Sequence, residues 1–489
     1  MTIHTYGHTR TYEMEALLKL FVPAQKFAFS TAEALPEGEY ISAVITENED
    51  GTMHLVCRTC MGGKTMLSEA DRPAAEGNLL DKELSILLYP QLCAVTGLRP
   101  AWGMLTGIRP VNLLRRHSER LGGIAEAKAH FRDVWQVTED KIALAEQILT
   151  VQQPVFSETP HRAVGIYVSI PFCPTRCRYC SFVSNSVAQM RRLLPQYMDA
   201  LEQEIQIVGS LLKDTGLTVD TVYIGGGTPT VLEPAALTRL LSALQQHIIT
   251  PNPIPLREYT VEAGRPDTIT REKLAVLRQF DVTRISVNPQ SFRDEVLQAA
   301  GRPHSAQDAV EAYLLAKEMG FGNINMDFIA GLPCDTFEGF RESIDKAVAL
   351  DPESITVHCL SLKKAADFYQ SLPMPNAATV EQMVEYAQST LCGKGYRPYY
   401  LYRQKNMAAN LENVGYAKQG FESPYNILMM DDSQTILGIG SGASTKLIGG
   451  QRGIERLTEC KYPYEYLDRF EALMEQKKQL VRMLAEIKA

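Results

Sequence analysis

The sequence predicts an α/β protein built around an incomplete barrel of six strand–helix units, flanked by an N-terminal α/β domain and a C-terminal covering region. Three observations predict it. From Val164 to Leu360, short apolar runs of strand length alternate with helical stretches. A C-x3-C-x2-C cysteine loop directly follows the first of those runs. Glycine, glutamate, glutamine and aspartate residues stand at or near the ends of the next four, where barrels of this kind keep their chemistry.

The strands are expected at Val164–Ile170, Thr221–Ile224, Tyr259–Glu262, Arg284–Val287, Ile324–Ile329 and Ile355–Leu360. Between the first two, Tyr197, Leu201, Ile205, Val208 and Leu212 recur every three or four residues, the period of a helix face. Pro234–Ile248, Thr270–Phe280, Asp308–Met319 and Thr336–Ala349 repeat the device. Strand–helix units in series demand a parallel sheet. Right-handed crossovers let it curl. The barrel is expected to span 164–372.

Before it, 1–150 is expected to hold a small α/β domain plus helices. Tyr40–Ile45 and Met53–Val56 have strand character, and Lys82–Leu92 and Ala125–Leu149 helical character. Cys57 and Cys60 form a C-x2-C pair with no second pair at zinc-site spacing, so two buried thiols at a strand end are expected. Trp102–Pro110 is punctuated by Gly and Pro, and reads either as a structured loop or as one that places Arg109 on an anion. The prolines and polar residues of 151–163 predict a linker.

The totals exclude several classes. The net charge of −8 gives no broad electrostatic footprint for nucleic acid. No apolar run reaches the ~18 residues of a membrane span. The N-terminus lacks a signal-peptide pattern, so a cytoplasmic location is expected. Ten cysteines in a chain of 489 residues are not a disulfide framework. Closely spaced cysteines in a reducing compartment point to metal or redox chemistry.

Cys173, Cys177 and Cys180 are spaced for an iron–sulfur cluster held by three thiolates. The fourth iron is then open, or takes one of Cys334, Cys359, Cys392 and Cys460, none of which is close in sequence. Gly225-Gly-Gly-Thr-Pro-Thr230 follows the second strand, Glu262 ends the third, Gln290 lies just past the fourth, and Asp327 stands in the fifth.

In this setting the cysteine loop, with Tyr179 before its last cysteine, resembles the radical S-adenosylmethionine (SAM) superfamily. The resemblance implies a [4Fe-4S] cluster on Cys173, Cys177 and Cys180 whose open iron chelates SAM. One electron then cleaves SAM to methionine and a 5′-deoxyadenosyl radical. Tyr167-x-x-Ile170-Pro-Phe-Cys173, the Gly225–Thr230 run, Arg284–Phe292, Gly301-Arg302 and Ile324–Pro333 together resemble the oxygen-independent coproporphyrinogen III oxidase (dehydrogenase) family. The Trp102–Pro110 and Leu401–Tyr416 stretches resemble its HemZ-type branch.

Carried over by position, the resemblance implies that Tyr167, Tyr179, Gly226, Gly227, Thr228, Glu262, Gln290, Arg302, Asp327 and Ile329 contact SAM. The glycines would let backbone N–H groups approach its methionyl end. The implied reaction is oxidative decarboxylation of two coproporphyrinogen III propionates to vinyls, with flavodoxin or ferredoxin as electron donor. Phe182 stands where the better-characterised branch has a further cysteine and the haem-chaperone branch an aromatic residue. Decarboxylase, haem chaperone and radical enzyme on another tetrapyrrole therefore all stay open, as does one SAM or two.

After the barrel, 373–489 is expected to form a separate region with a helix at Val380–Leu391. Arg397–Lys405 is either an exposed strand or a lid offering aromatic faces to a tetrapyrrole, with Arg403 and Lys405 for its carboxylates. Gly438–Ala443 marks a tight turn or close backbone approach, and Leu467 to Leu484 the apolar face of a terminal helix.

Overall fold

The computed structural model describes residues 1–487 except 24, 108, 181–184, 362–372, 405–406 and 451–452. Phe182 and Lys405 therefore lie outside the described residues. The chain divides into two units, Met1–Glu146 and Gln147–Ala489.

In the first unit, strand alternation builds a five-stranded sheet in the order Ala28–Ser30, Thr2–Tyr6, Tyr40–Glu47, Met53–Met61, Lys64–Arg72. Helices Thr11–Leu18 and Gly77–Thr96 pack on it, and Leu17, Leu84 and Leu88 join Ile3, Ile41 and Leu55 in one core. Cys57 belongs to that core, and burial pushes its thiol up to about 12. Cys60 is half-buried in the same strand. The Trp102 stretch is an ordered loop: Trp102 is buried, and a Cβ on Gly103 would meet the Trp135 carbonyl oxygen at 1.9 Å. Arg109 immediately precedes the helix Pro110–Leu121, which has proline at its first position.

In the second unit the six expected strands form in sequence order and all parallel. They are β1 Ala163–Ile170, β2 Thr218–Gly226, β3 Glu258–Glu262, β4 Arg284–Ser286, β5 Ile324–Ala330 and β6 Ser354–Cys359. The crossovers carry α1 Leu194–Thr215, α2 Pro234–Leu244, α3 Arg271–Gln279, α4 Asp294–Ala299, α5 Ala306–Glu318 and α6 Phe337–Leu350. Local chemistry starts several of them. Thr270 and Thr336 accept from the backbone N–H groups of Lys273 and Gly339, and Ser305 with Asp308 forms a capping box. The six-residue α4 is too short to show a period, which is why the sequence hides it.

The rest of the chain is α7 Ala377–Gly393, β7 Arg397–Tyr402, β8 Asn413–Ala417, α8 Pro424–Asp431, β9 Ile436–Ile439, β10 Ser444–Gly450, β11 Gly453–Thr458, α9 Pro463–Asp468 and α10 Phe470–Ile487. Its strands do not make a separate layer. They extend the barrel sheet at both edges, in the order β7-β8-β6-β5-β4-β3-β2-β1-β9-β10-β11. β9 runs parallel to β1 and so becomes a seventh parallel strand. β7 is buried rather than exposed, and Tyr400 lies across β8 where a Cβ on Gly415 would meet its ring at 1.9 Å.

The expected linker, 151–163, is largely helical, because the helix Glu139–Glu158 runs through Pro154. Packing overrides the proline's local cost. Val151, Val155 and Phe156 lie against Tyr399, Tyr400 and Ile427, and the Gln152 amide donates to the Tyr399 carbonyl at 3.0 Å.

α10 carries a residue its apolar pattern conceals. Lys477 is fully buried, donates to Glu204 of α1 and to the Gly438 carbonyl at 2.7 Å, and pairs with Glu459 at 2.7 Å. Burial raises the Glu459 pKa, against the lowering effect of Lys477, and the Glu204 charge raises it further. Among the described residues no helix is long and apolar enough to cross a membrane.

Candidate active site

β1 delivers the cysteine loop. After Ile170 the pair Phe172–Cys173 makes a short parallel ladder with Asn185–Ser186, and the Cys173 carbonyl accepts from Val187 at 2.9 Å. Tyr197 of α1 buttresses this turn: its hydroxyl donates to the Ser169 carbonyl at 2.9 Å, and its ring meets Phe172 edge-on at 5.1 Å.

The glycine run after β2 is packed against the same loop. Gly226 has φ +107°, and a Cβ on Gly227 would lie 2.5 Å from the Phe172 carbonyl oxygen. The N–H groups of Gly227 and Thr228 donate to Ile170 and Phe172 at 2.8 Å each, and the Thr228 hydroxyl to Cys173 Sγ at 3.5 Å. Those two N–H groups serve the cysteine loop, so the missing Cβ atoms admit protein backbone first.

Two guanidiniums converge on Cys177. Arg302 is 4% exposed and fixed by the carbonyls of Asn288 at 2.7 Å and Gly264 at 3.1 Å. Its Nη1 donates to Tyr179 Oη at 3.0 Å and reaches Cys177 Sγ at 3.9 Å. Burial raises the Tyr179 hydroxyl, against the neighbouring Arg302 charge. Arg265, which follows β3, comes from the other side. Its Nη1 is 3.9 Å from the same sulfur and 3.2 Å from Thr175 Oγ1, while Asp267 takes Nε and Nη2 at 2.8 Å each.

The strand ends supply carboxylates and amides. Glu262 lies over Gly225, where a Cβ would sit 2.9 Å from its carboxyl carbon, and accepts from Tyr223 Oη at 2.6 Å. Burial pushes this carboxyl up to about 7; the Tyr223 hydrogen bond lowers it and nearby Asp327 raises it. Tyr223 stacks on Tyr425 at 4.5 Å, and both stack with Tyr167. Asp327 accepts from Asn325 at 2.7 Å and faces His358 Nε2 at 3.7 Å. Burial raises its pKa, but His358 and Asn325 outweigh that and lower it.

Gln290 is held in the left-handed region at φ +69°, at a cost of roughly 1–2 kcal/mol for a non-glycine residue. Two bonds to β5 pin it there: its N–H to the Asp327 carbonyl at 2.9 Å and its carbonyl to Ile329 N–H at 3.1 Å. Ile329 and Tyr179 share one apolar cluster. The structure thus links Cys173 to Thr228, Cys177 to Tyr179 and Arg302, and Gln290 to Asp327 and Ile329, with Tyr167 and Glu262 alongside.

The residues fit the cofactors that this donor set implies. Three cysteines share one loop, and two cations stand beside the middle one, Cys177, matching an anionic thiolate-held cluster. Among the described residues no three His, Cys, Asp or Glu side chains gather round one metal ion, a requirement of a mononuclear site and not of a cubane, whose thiolates take different irons. Ser286 Oγ, Asn288 Oδ1, Gln290 Oε1 and Arg302 Nε, at and beyond the end of β4, are buried without hydrogen-bond partners among the described residues. Native proteins seldom leave so many buried polar atoms unmatched unless something else binds them.

Arg403 does not display a free cation to a substrate. It is 6% exposed, donates to the Asn410 carbonyl at 3.0 Å, and burial lowers its pKa to about 10 despite nearby Glu412. Cys359, one of the other cysteines considered as a fourth ligand, donates its thiol to the Glu412 carbonyl at 3.1 Å.

The model of the radical SAM superfamily matches residues 167–347. The oxygen-independent coproporphyrinogen-III oxidase-like protein HemZ of Bacillus subtilis is 41% identical over 412 residues, 82% of this chain and 81% of that protein. This chain belongs to the oxygen-independent coproporphyrinogen-III oxidase-like family of radical SAM proteins. Radical SAM proteins use a [4Fe-4S] cluster and SAM, and these are its cofactors. The heme chaperone HemW of Bacillus subtilis is 32% identical over 61% of this chain and 77% of its own length. The structure of coproporphyrinogen III oxidase (HemN) from Escherichia coli, a radical SAM enzyme, shares the fold with TM-score 0.50 and 22% identity, over 67% of this chain and 73% of that one.

Within this radical SAM site the sequence did not single out Tyr223, Arg265, His358 or Tyr425. Period-two alternation carries a signal for two of them: Tyr223 shares a strand face with Gly225, and His358 with Thr356. Tyr425 carries none, because α8 meets the barrel through long-range contacts, the ring stack on Tyr223 and Tyr167 and the carboxylate of Glu258. That carboxylate accepts from Ser423 Oγ and from Tyr425 N–H at 2.9 Å.

Proposed function

We propose that the protein is a radical SAM oxidoreductase that decarboxylates propionate side chains of coproporphyrinogen III to vinyl groups. The observation that carries this reading is the set of unmatched buried polar atoms, Ser286, Asn288, Gln290 and Arg302, beside the cysteine loop. It supports a site prepared for a polar, zwitterionic molecule next to an iron–sulfur cluster. The 41% identical relative, whose name specifies a coproporphyrinogen-III oxidase-like protein, supports the substrate class.

In this reading Cys173, Cys177 and Cys180 hold the cluster. When bound, the cluster and SAM would together supply a carbon-centred radical that takes one hydrogen atom from a propionate; loss of carbon dioxide then leaves the vinyl group and one electron, which passes to an external one-electron acceptor. The chain's own residues bind and orient. Arg302 offers its unmatched Nε to a carboxylate, Gln290 and Asn288 offer acceptors, and Asp327 and Glu262 take ribose hydroxyls or an amino group. Tyr167, Tyr179, Ile329, Gly226, Gly227 and Thr228 shape the walls. A flavodoxin or ferredoxin is the proposed electron donor.

The test is anaerobic turnover of the reconstituted full chain with reductant, SAM and coproporphyrinogen III. The expected products are 5′-deoxyadenosine and protoporphyrinogen IX. Deoxyadenosine without loss of carbon dioxide would reject the decarboxylase. Stable haem binding without turnover would favour a chaperone like the HemW relative.

A further inference from the structure

Arg265 sits in a stretch, Glu262-Ala-Gly-Arg-Pro-Asp267, whose only expected functional residue is Glu262. It is 3% exposed, and its Nη1, which donates to Thr175 Oγ1 at 3.2 Å and the Thr175 carbonyl at 3.4 Å, also reaches Cys177 Sγ at 3.9 Å. Asp267 grips the guanidinium through Nε and Nη2 and leaves Nη1 directed at Thr175 and the sulfur. A planar fork held on one edge by a carboxylate points its remaining donor in one direction.

The charges at this corner do not cancel. Arg265 and Arg302 are both buried cations beside Cys177, and Asp267 is the facing carboxylate. Nearby His304 adds no charge: burial first, then the Arg302 and Arg265 charges, push it down to about 4. Two cations against one anion leave a positive excess at one sulfur.

We propose that Arg265, aimed by Asp267, is a positioning residue that raises the reduction potential of the cluster through Cys177. This rests on the cluster assignment to Cys173, Cys177 and Cys180. Reduction adds a negative charge to the cluster, and a nearby cation with an N–H donor to a ligand sulfur favours the reduced form. In a site this dry the effect is weakly screened.

The experiment is an EPR-monitored redox titration of the reconstituted full chain, comparing wild type, Arg265→Gln and Asp267→Asn. Arg265→Gln keeps a short N–H donor but loses the cation, and its midpoint shifts to more negative potential. Asp267→Asn keeps the cation but loses the anion, and its midpoint shifts to more positive potential. A purely structural contact would move both in one direction or neither, and that outcome overturns the proposal. If Arg265→Gln fails to hold a cluster, Asp267→Asn decides: an upward shift supports the role and an unchanged midpoint rejects it. A wild-type chain that takes up no cluster would remove the site assignment and this inference together, which separates that failure from an unshifted midpoint.

Discussion

Two buried charged clusters in the second unit behave in opposite ways. Behind the barrel, Lys477 is enclosed by Glu204, Glu459 and the Gly438 carbonyl, and burial and the Glu204 charge raise the Glu459 pKa against the lowering effect of Lys477. Tyr466 and the Gly440 N–H also donate to Glu204, at 2.6 and 2.9 Å. At the mouth, Arg302 and Arg265 face one carboxylate and a sulfur, and the neighbouring amides lack partners among the described residues. The first cluster finds its counter-charges within the chain. The second has an excess that matches an anionic guest. Burial alone therefore does not mark a site.

The largest expected effect breaks the mouth cluster. Cys177→Ala loses most of the bound iron and the brown absorption of the cluster, while the fold, monitored by circular dichroism, persists. Full iron content in that variant would remove the cluster from this loop.

The rear cluster is expected to respond in stability. Lys477→Met leaves two buried carboxyl groups without their cation and costs about 3–5 kcal/mol in denaturant titrations. Adding Glu204→Gln and Glu459→Gln recovers much of it, and the molecules that remain folded still take up iron. Loss of iron per folded molecule would mean that the rear cluster is part of the site after all.

A milder change sharpens the mouth. Asp327→Asn removes a charge next to Gln290 and weakens SAM binding about tenfold, or about 1.4 kcal/mol, with iron content unchanged in calorimetry on the reconstituted protein. Unchanged affinity would reduce Asp327 to a partner of His358.

The smallest effect is a pH dependence. The Glu262 carboxyl is raised from 4.5 to about 7 in the fold, chiefly by burial. Between those values the unfolded chain has released a proton that the folded chain keeps, so stability falls as pH rises through this window and levels off above it. Glu262→Gln removes this contribution and stabilises the cofactor-free protein by about 1–3 kcal/mol at pH 8 relative to pH 4. Equal stability differences at both pH values would show that the carboxyl is not desolvated.

The six barrel strands were legible because period two and period 3.6 are both short-range signals. Arg302, Gln290 and Asp327 were singled out through family motifs, and the structure places Gln290 against Asp327 at neighbouring strand ends and Arg302 in the turn after α4. Arg403 shows the limit of the pattern: basic and aromatic alternation looks the same whether a strand faces solvent or lies buried, and here the guanidinium is buried and donates to the Asn410 carbonyl. Arg265 gave no warning, since the approach of a side chain to a sulfur 88 positions away is a property of the folded chain.

By itself, the sequence determined the parallel six-unit barrel, the cysteine loop at its first strand end, and with them the radical SAM chemistry. The barrel and the loop rest on local periodicity and close spacing, which survive without knowledge of the fold, and the radical SAM chemistry on the resemblance that the motifs carry. Only the tertiary structure decided that residues after 373 complete the same sheet, that the glycine run serves the cysteine loop, and that Arg265 and Arg302 share one sulfur. Those facts depend on long-range pairing and on which polar atoms find partners once water is excluded.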